Sequence, residues 1–395
     1  MTHLKLVFAI IGMISSHSAL ADSHLKLSSE DYILTSGIVL STGQRLPSGT
    51  IWYRQPDIER LKREVSGGVY RGDIENARRV IFGYDMVYDT YMTIGDGRKD
   101  GRPSLGGGRL MNCTNCHIKG GMAPGAWPFF KTLTLYGLRE KGDKGVYSEG
   151  LSYHRDARAR TRDCGRECGG TIMIPDKSFE MDAFVAWLKA VRDGIYPGEG
   201  LLVDAFKTKK DVDKIPGAAI EMFANVLDMK ADPDKGARLY ARHCKACHGA
   251  EGLGQWVDGR GYVFPPLAGE SSFSDLGGPM MIPVGASFLH QNMPPSSPDV
   301  LSTQDALDVM AYVATLPRSS VWWQEHYFRH DPCGRPAYLP LHVGVVPKGY
   351  PFSKEQTLFG PWRPIAQWLA SDACKNANPP SKPVLGRDFD ADDPR

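Results

Sequence analysis

Two copies of one short motif, Cys-x-x-Cys-His, are the residues of this sequence with the clearest chemistry. The first copy comprises Cys113, Cys116 and His117, and the second comprises Cys244, Cys247 and His248. Two thiols at this spacing add to the two vinyl groups of one porphyrin, and the histidine that follows offers its imidazole to the iron. A zinc knuckle or a thioredoxin-like redox pair leaves the adjacent histidine unexplained twice. The sequence therefore predicts two covalently bound haem c groups.

The sixth ligand of each iron decides what its haem can do. For the second haem the candidate is Met293, which lies in a loop stiffened by Pro294 and Pro295. A thioether ligand raises the potential of a haem iron, so this site is predicted to transfer electrons. The alternatives are that Met293 belongs to the hydrophobic core, or that the nearby His290 competes for the iron.

The first haem has a cysteine at the corresponding place. Cys164 follows His117 by 47 residues, close to the separation between His248 and Met293. A thiolate ligand lowers the potential of the iron and is also a nucleophile. Basic neighbours favour the deprotonated thiol, and the sequence around it contains Arg155, Arg158, Arg160, Arg162 and Arg166.

A second interpretation of this region stays open on the residues alone. Cys164 and Cys168 would then form a short local disulfide, and Met173, just before Ile174 and Pro175, would be an ordinary axial ligand. The arginines would in that case be exposed or pair with the haem propionates.

The elements around the two motifs follow the same order, and this repeat predicts the fold. Asp232 and Pro233 are the N-cap and first turn of a helix that leads into the second motif, and a helix from about Ser302 closes that half. In the first half, Ile74–Met92 and Phe179–Val191 are the corresponding helices. We expect an all-α fold with two class I cytochrome c domains in tandem and a loop-rich C-terminal extension.

The 395 residues divide accordingly. The predicted segments are a signal peptide (1–21), an N-terminal cytochrome c domain with haem 1 (22–195), a linker (196–231), a C-terminal cytochrome c domain with haem 2 (232–317), and a Trp- and Pro-rich extension (318–395). Cys333 and Cys374 both lie in the extension, and in an oxidising compartment we expect them to form a disulfide.

The N-terminus and the overall charge indicate where the protein acts. Lys5, the apolar run Leu6–Ile14 and the small residues of Ala19–Ala21 are typical of a cleavable signal peptide, with a retained anchor as the alternative. The run is too short to span a bilayer, so we expect a periplasmic protein without a membrane span. The net charge is +2, so positive and negative side chains nearly balance and the protein has no strong electrostatic field of one sign. Nucleic acid is therefore not an expected partner.

Further motifs lie around both sites. In the first half they are Gly107–His117, Arg160–Cys164, Pro175, Ser178, Glu180 and Met181, and in the second half Tyr262–Leu267, Ser272, Phe273 and Phe288–Pro294. With these elements, roughly residues 65–320 resemble the thiosulfate dehydrogenases, two-haem cytochromes that couple thiosulfate to tetrathionate. The family's haem 1 ligand is the cysteine before a similarly spaced Pro and Ser-x-Glu-Met, so the resemblance implies that Cys164 has this role. It likewise implies that Met293 is the haem 2 ligand.

The resemblance implies a periplasmic enzyme that oxidises thiosulfate to tetrathionate at haem 1. Cys164 would be the nucleophile, Arg155, Arg158, Arg160 and Arg166 would bind the sulfonate oxygens, and haem 2 would pass electrons to a soluble cytochrome or other redox protein. The alternatives are a dihaem electron-transfer cytochrome without a substrate, and an enzyme of this family that acts as a tetrathionate reductase or on another sulfur compound.

Overall fold

The structure is a computed structural model that describes residues 31–106, 111–123, 125–138, 146–148, 153–169, 172, 174–215, 223, 225–298, 300–320 and 328–381. Of 146–148, 153–155 and 166–169 it describes the backbone alone. The predicted signal peptide lies outside these residues. Within the described part of the chain, no helix combines the length and the apolar character needed to cross a membrane.

Helices make up most of the regular structure in these ranges. In chain order they are α1 (Ile58–Ser66), α2 (Ile74–Tyr88), α3 (Thr90–Ile94), α4 (Ile118–Gly121), α5 (Thr132–Tyr136), α6 (Ala157–Gly169), α7 (Phe179–Asp193), α8 (Pro233–His243), α9 (Lys245–His248), α10 (Ile282–Asn292), α11 (Thr303–Thr315), α12 (Lys354–Phe359), α13 (Arg363–Ala370) and α14 (Asp372–Ala377). Of these, α4 is an irregular turn, because Lys119 and Gly120 have positive φ.

Short antiparallel strands accompany the helices. They are β1 (Asp31–Ile33), β2 (Ile38–Val39), β3 (Arg45–Leu46), β4 (Ile51–Arg54), β5 (Val146–Ser148), β6 (Tyr153–Arg155), β7 (Gly200–Leu201), β8 (Gln255–Val257) and β9 (Gly261–Phe264). β4 pairs with both β1 and β7, and the remaining strands form three two-stranded ribbons. The expectation of an all-α chain is therefore only partly right. Aromatic residues favour strands, and Trp52 and Tyr53 of β4 pack on Phe130.

Two pairs of packed helices form the cores of the two halves. α2 packs on α7, and α8 packs on α11. In each pair a glycine lies at the crossing: a side chain at Gly83 would overlap the carbonyl group of Ala183, and one at Gly236 would overlap that of Asp308. The two halves thus bring their helices together in the same way.

The helix boundaries agree closely with those predicted, with one exception. The Asp232 side chain accepts hydrogen bonds from the first turn of α8, which begins at Pro233, and Ser302 caps α11 in the same manner. The predicted helix Ile74–Met92 is instead interrupted at Asp89, whose φ of −137° is not helical. The chain therefore turns before the first Cys-x-x-Cys-His motif.

Buried apolar side chains form two main clusters. The first includes residues between 32 and 215 and extends into the segment predicted as a linker, since Phe206 and Val212 are buried in it. The second combines α8, α10 and α11 with Trp362, which precedes α13, and Ile365 of α13. The predicted disulfide between Cys333 and Cys374 is present, and the extension is thereby tied to the second cluster.

Candidate active site

The first Cys-x-x-Cys-His motif is held by hydrogen bonds to the start of α3. The side-chain oxygen of Asn112 accepts a hydrogen bond from the backbone N–H of Thr90 at 2.9 Å, and the Thr90 hydroxyl accepts one from the backbone N–H of Cys113 at 3.0 Å. The Nδ1–H of His117 donates to the carbonyl oxygen of Trp127 over 2.6 Å, because a carbonyl oxygen only accepts. This bond fixes the imidazole ring and leaves its Nε2 available to a metal.

A cavity of about 290 Å³ opens beside this motif. Both motif cysteines, His117 and Cys164 line it, together with apolar side chains such as Phe129, Ile174 and Phe184. The Sγ atom of Cys164 lies 4.0 Å from Nε2 of His117. Two thiols, an imidazole and a facing thiol within apolar walls are the groups that a c-type haem uses. The residues present therefore fit that cofactor.

Helix α6 presents Cys164 and Arg160 to the same cavity. The two residues are one helical turn apart, so they share a face of the helix. The carboxylate of Asp156 accepts a hydrogen bond from the backbone N–H of Ala159 at 2.8 Å and so fixes the start of α6. A thiol and a guanidinium are thus brought together on one wall.

Arg158 has a different environment. Its guanidinium donates to the carboxylate of Asp182 at 2.6 Å and to the carbonyl oxygen of Asp176 at 3.0 Å. Two residues apart on a helix, Arg158 and Arg160 project in nearly opposite directions. The structure therefore gives Arg158 an ion pair with Asp182, and the substrate-binding role of Arg158 stays a prediction.

Several predicted residues have side chains that the structure does not describe. They are Arg155, Arg166, Cys168 and Met173. The substrate-binding roles of the two arginines stay predictions. The alternative with a Cys164 to Cys168 disulfide and a Met173 ligand also lies outside the described side chains.

The second motif repeats the geometry of the first. The Nδ1–H of His248 donates to the carbonyl oxygen of Pro265 at 2.8 Å, again leaving Nε2 available. Burial lowers the pKa of His248, which favours the neutral imidazole that binds metals. Cys244, Cys247 and Met293 line the cavity beside it, and Met293 directly follows the last residue of α10. These residues also fit a c-type haem.

The two cavities are adjacent. Met111, Cys116 and Trp127 line both of them. The indole of Trp127 also stacks on Phe288 of α10, with ring centroids 4.6 Å apart and planes inclined by 20°. A shared wall places groups bound in the two cavities close to each other.

Trp127 and Lys131 are two of the wall residues that sequence reasoning missed. Lys131 lines the first cavity, where burial lowers its pKa, and its ammonium group lies 3.9 Å from the carboxylate of Asp213. A signal was available in the aromatic and proline run Trp127–Phe130. It follows the first motif as Tyr262–Leu267 follows the second, and each run supplies the carbonyl oxygen that accepts from the motif histidine.

Part of the chain matches a known protein family. Residues 231–313 match the family described as cytochrome c oxidase, cbb3-type, subunit III. With its Cys-x-x-Cys-His motif, this part of the chain is a cytochrome c-type domain, and this class implies haem c.

Curated relatives identify the family further. The chain is 32% identical over 216 residues to thiosulfate dehydrogenase of Stutzerimonas stutzeri, covering 53% of this chain and 61% of the relative. It is 29% identical over 216 residues to that of Psychrobacter arcticus, covering 53% and 57%. Over 95 residues it is 42% identical to that of Allochromatium vinosum, covering 23% of this chain and 35% of the relative.

The resemblance inferred from the motifs is thereby confirmed, and the chain is a relative of the thiosulfate dehydrogenases. The matched part of the chain spans 57% to 61% of the length of the two longer-matching relatives. Among solved structures, thiosulfate dehydrogenase (TsdBA) of Marichromatium purpuratum is 25% identical, with a TM-score of 0.48, and the match covers 62% of this chain and 46% of that chain.

Proposed function

We propose that this protein is a dihaem c-type cytochrome that oxidises thiosulfate to tetrathionate. The observation that carries the proposal is the placement of Cys164 opposite His117 in a cavity that Arg160 also lines. An electron carrier needs no nucleophile and no cation at this position. The relationship to the thiosulfate dehydrogenases supports this assignment.

The proposed cofactors are two haem c groups, and the residues that hold them come from both motifs. Cys113 and Cys116 would attach haem 1, and His117 and Cys164 would bind its iron. Cys244 and Cys247 would attach haem 2, and His248 and Met293 would bind its iron. When bound, the haems accept the two electrons of the reaction singly and pass them to an external cytochrome or other redox protein.

The covalent step belongs to the Cys164 thiolate. Its Sγ atom forms a bond with the outer sulfur of one thiosulfate, with the loss of two electrons, and gives a protein-bound S–S–sulfonate. The outer sulfur of a second thiosulfate attacks this adduct and displaces the Cys164 thiolate, as in thiol–disulfide exchange. Two thiosulfate dianions are thereby converted into one tetrathionate dianion and two electrons.

Arg160 binds substrate in this proposal. Thiosulfate is a dianion, and two of them must approach one sulfur atom, so the cavity has to compensate negative charge. A guanidinium donates charge-assisted hydrogen bonds to sulfonate oxygens. Lys131, which lines the same cavity, adds a second cation. The two residues therefore hold the anions near Cys164.

The proposed organisation follows from the repeated motif and helix pairs. Two cytochrome c domains, over 22–195 and 232–317, are joined by the segment 196–231 and followed by the extension 318–395. A signal peptide over 1–21 would export the chain to the periplasm, where c-type haems are attached and where the disulfide of the extension is stable.

The proposal is tested by mixing the purified holoprotein with thiosulfate in the absence of oxygen. We expect the haem absorption bands to change to those of the reduced state and tetrathionate to form when an oxidant is supplied. Cys164→Met retains an iron ligand but no nucleophile, so turnover is expected to fall below detection. Thiosulfate oxidation at the wild-type rate in this variant, or no reduction of the wild type by thiosulfate, would contradict the proposal.

A further inference from the structure

Trp127 connects the two halves of the molecule at the shared wall of the cavities. Its carbonyl oxygen accepts the hydrogen bond from Nδ1–H of His117, while its indole stacks on Phe288 of α10. The backbone of Trp127 thus orients a predicted ligand of haem 1. The side chain of the same residue contacts the helix that directly precedes the predicted ligand of haem 2.

The backbone of Trp127 needs this support. Its φ is +47°, in the left-handed region that residues with a β-carbon seldom adopt. Such a conformation persists when the surrounding structure holds it. The stack on Phe288 holds the indole, and the amide of Asn292, one turn further along α10, donates to the carbonyl oxygen of Gly125 at 3.2 Å. Both contacts come from the second half.

We propose that Phe288, acting through Trp127, is a positioning residue for the His117 imidazole. Without the stack, Trp127 relaxes toward negative φ and its carbonyl oxygen moves away from Nδ1–H of His117. The carbonyl oxygen of Trp127 fixes the plane of the imidazole and strengthens its electron donation to a metal. Once this acceptor is lost, the imidazole is a weaker donor. The inference rests on the haem assignment of the proposed function.

The test is a double-mutant cycle on the holoprotein with two readouts, the low-spin EPR signal of haem 1 and its reduction potential. Phe288→Leu should shift the g-values of haem 1 and raise its potential, because the imidazole becomes a weaker donor. Trp127→Asn removes the indole but retains a residue that tolerates positive φ and the same carbonyl group. In that background, Phe288→Leu should produce no additional shift.

A matched control uses another aromatic contact between the halves. Trp256 of β8 packs edge to face on Tyr91 of α3 at 4.6 Å, and neither ring lines the cavities. Trp256→Leu should leave the haem 1 signal unchanged. An equal shift in this control would indicate general loosening between the halves and would overturn the proposal.

Two further results would also overturn it. One is an unchanged haem 1 signal in Phe288→Leu, and the other is the same shift with and without the indole of Trp127. Haem attachment is measured first by the mass of the intact protein. A wild type without covalent haem would refute the proposed function and this inference together, whereas normal attachment with no effect of Phe288→Leu would refute this inference alone.

Discussion

At the scale of single residues, the position of each side chain on α6 decides which predicted roles can be fulfilled. The spacing from His117 is enough to identify Cys164 as a candidate ligand. It does not separate Arg158 from Arg160, since both lie close to the cysteine in sequence. The helical period separates them, because residues four apart share a face and residues two apart do not. That argument requires the bounds of α6, which the Arg-rich sequence around Cys164 does not reveal.

The different environments of these two arginines predict different kinetics. If Arg160 binds substrate as proposed, Arg160→Ala removes a charge-assisted hydrogen bond worth about 1.5–3 kcal/mol. This corresponds to a loss of roughly ten- to a hundredfold in kcat/KM for thiosulfate. Arg158→Ala breaks the ion pair with Asp182, so its loss in kcat/KM should be smaller. Steady-state kinetics of both variants make the comparison.

A control for the loss of positive charge is Arg192→Ala. Arg192 pairs with its neighbour Asp193 at 2.7 Å at the end of α7, and its removal should leave kcat/KM unchanged. Equal losses in Arg160→Ala and Arg192→Ala would mean that net charge, and not a direct contact, is responsible. The substrate-binding role of Arg160 would then be wrong.

At the scale of elements, the helices were predictable and the strands were not. N-caps and Pro at the first turn are local signals, and Asp232, Pro233 and Ser302 mark the helices where the sequence places them. The three strands of the main sheet, by contrast, are at most four residues long, and β7 is far from the other two in the chain. Pairing of β4 with β7 joins Tyr53 to Leu201, a contact that no local pattern specifies.

The glycine at each helix crossing yields a stability prediction. Gly236→Ala places a methyl group against the carbonyl oxygen of Asp308, where the backbone cannot move aside easily. Overpacking of this kind lowers the free energy of unfolding by about 1–3 kcal/mol. Gly83→Ala should have the same effect, because its methyl group would meet the carbonyl oxygen of Ala183. Urea unfolding followed by circular dichroism measures the change in the free energy of unfolding.

Gly278 supplies the control for these two substitutions. A β-carbon there meets no atom within 4 Å. Gly278→Ala should therefore leave the free energy of unfolding unchanged or raise it slightly, by less than about 1 kcal/mol. If all three variants unfold at the same urea concentration, the crossings are looser than the structure indicates.

At the scale of the whole molecule, the extension returns to the segment that precedes α8. The backbone N–H of Ala231 donates to the carbonyl oxygen of Phe359 at 2.8 Å. The backbone N–H of Trp362 donates to the carbonyl oxygen of Leu227 at 2.7 Å. Arg363 forms an ion pair with Asp228. The sequence predicted the disulfide of the extension from the compartment, but contacts between residues so distant in the chain have no local signature.

The disulfide should contribute measurably to stability. Cys333 and Cys374 lie 41 residues apart in the chain, and a loop of this size is expected to contribute about 2–4 kcal/mol, chiefly by restricting the unfolded chain. Cys333→Ala combined with Cys374→Ala should lower the urea midpoint accordingly. The wild type under a thiol reductant provides the comparison, and it should unfold at the same urea concentration as the double variant. A midpoint equal to that of the oxidised wild type would show that the bond is dispensable.

The return of the extension also has a consequence for the order in which the two halves fold as the chain is synthesised. The residues of the first apolar cluster are all available once the chain has emerged to Ile215, whereas the second cluster needs Trp362, Leu369 and Cys374. Domains fold as their residues emerge, the N-terminal one first. The second half therefore cannot complete its core until more than a hundred residues beyond His248 have followed. During that interval we expect the thiols of Cys244 and Cys247 to remain accessible.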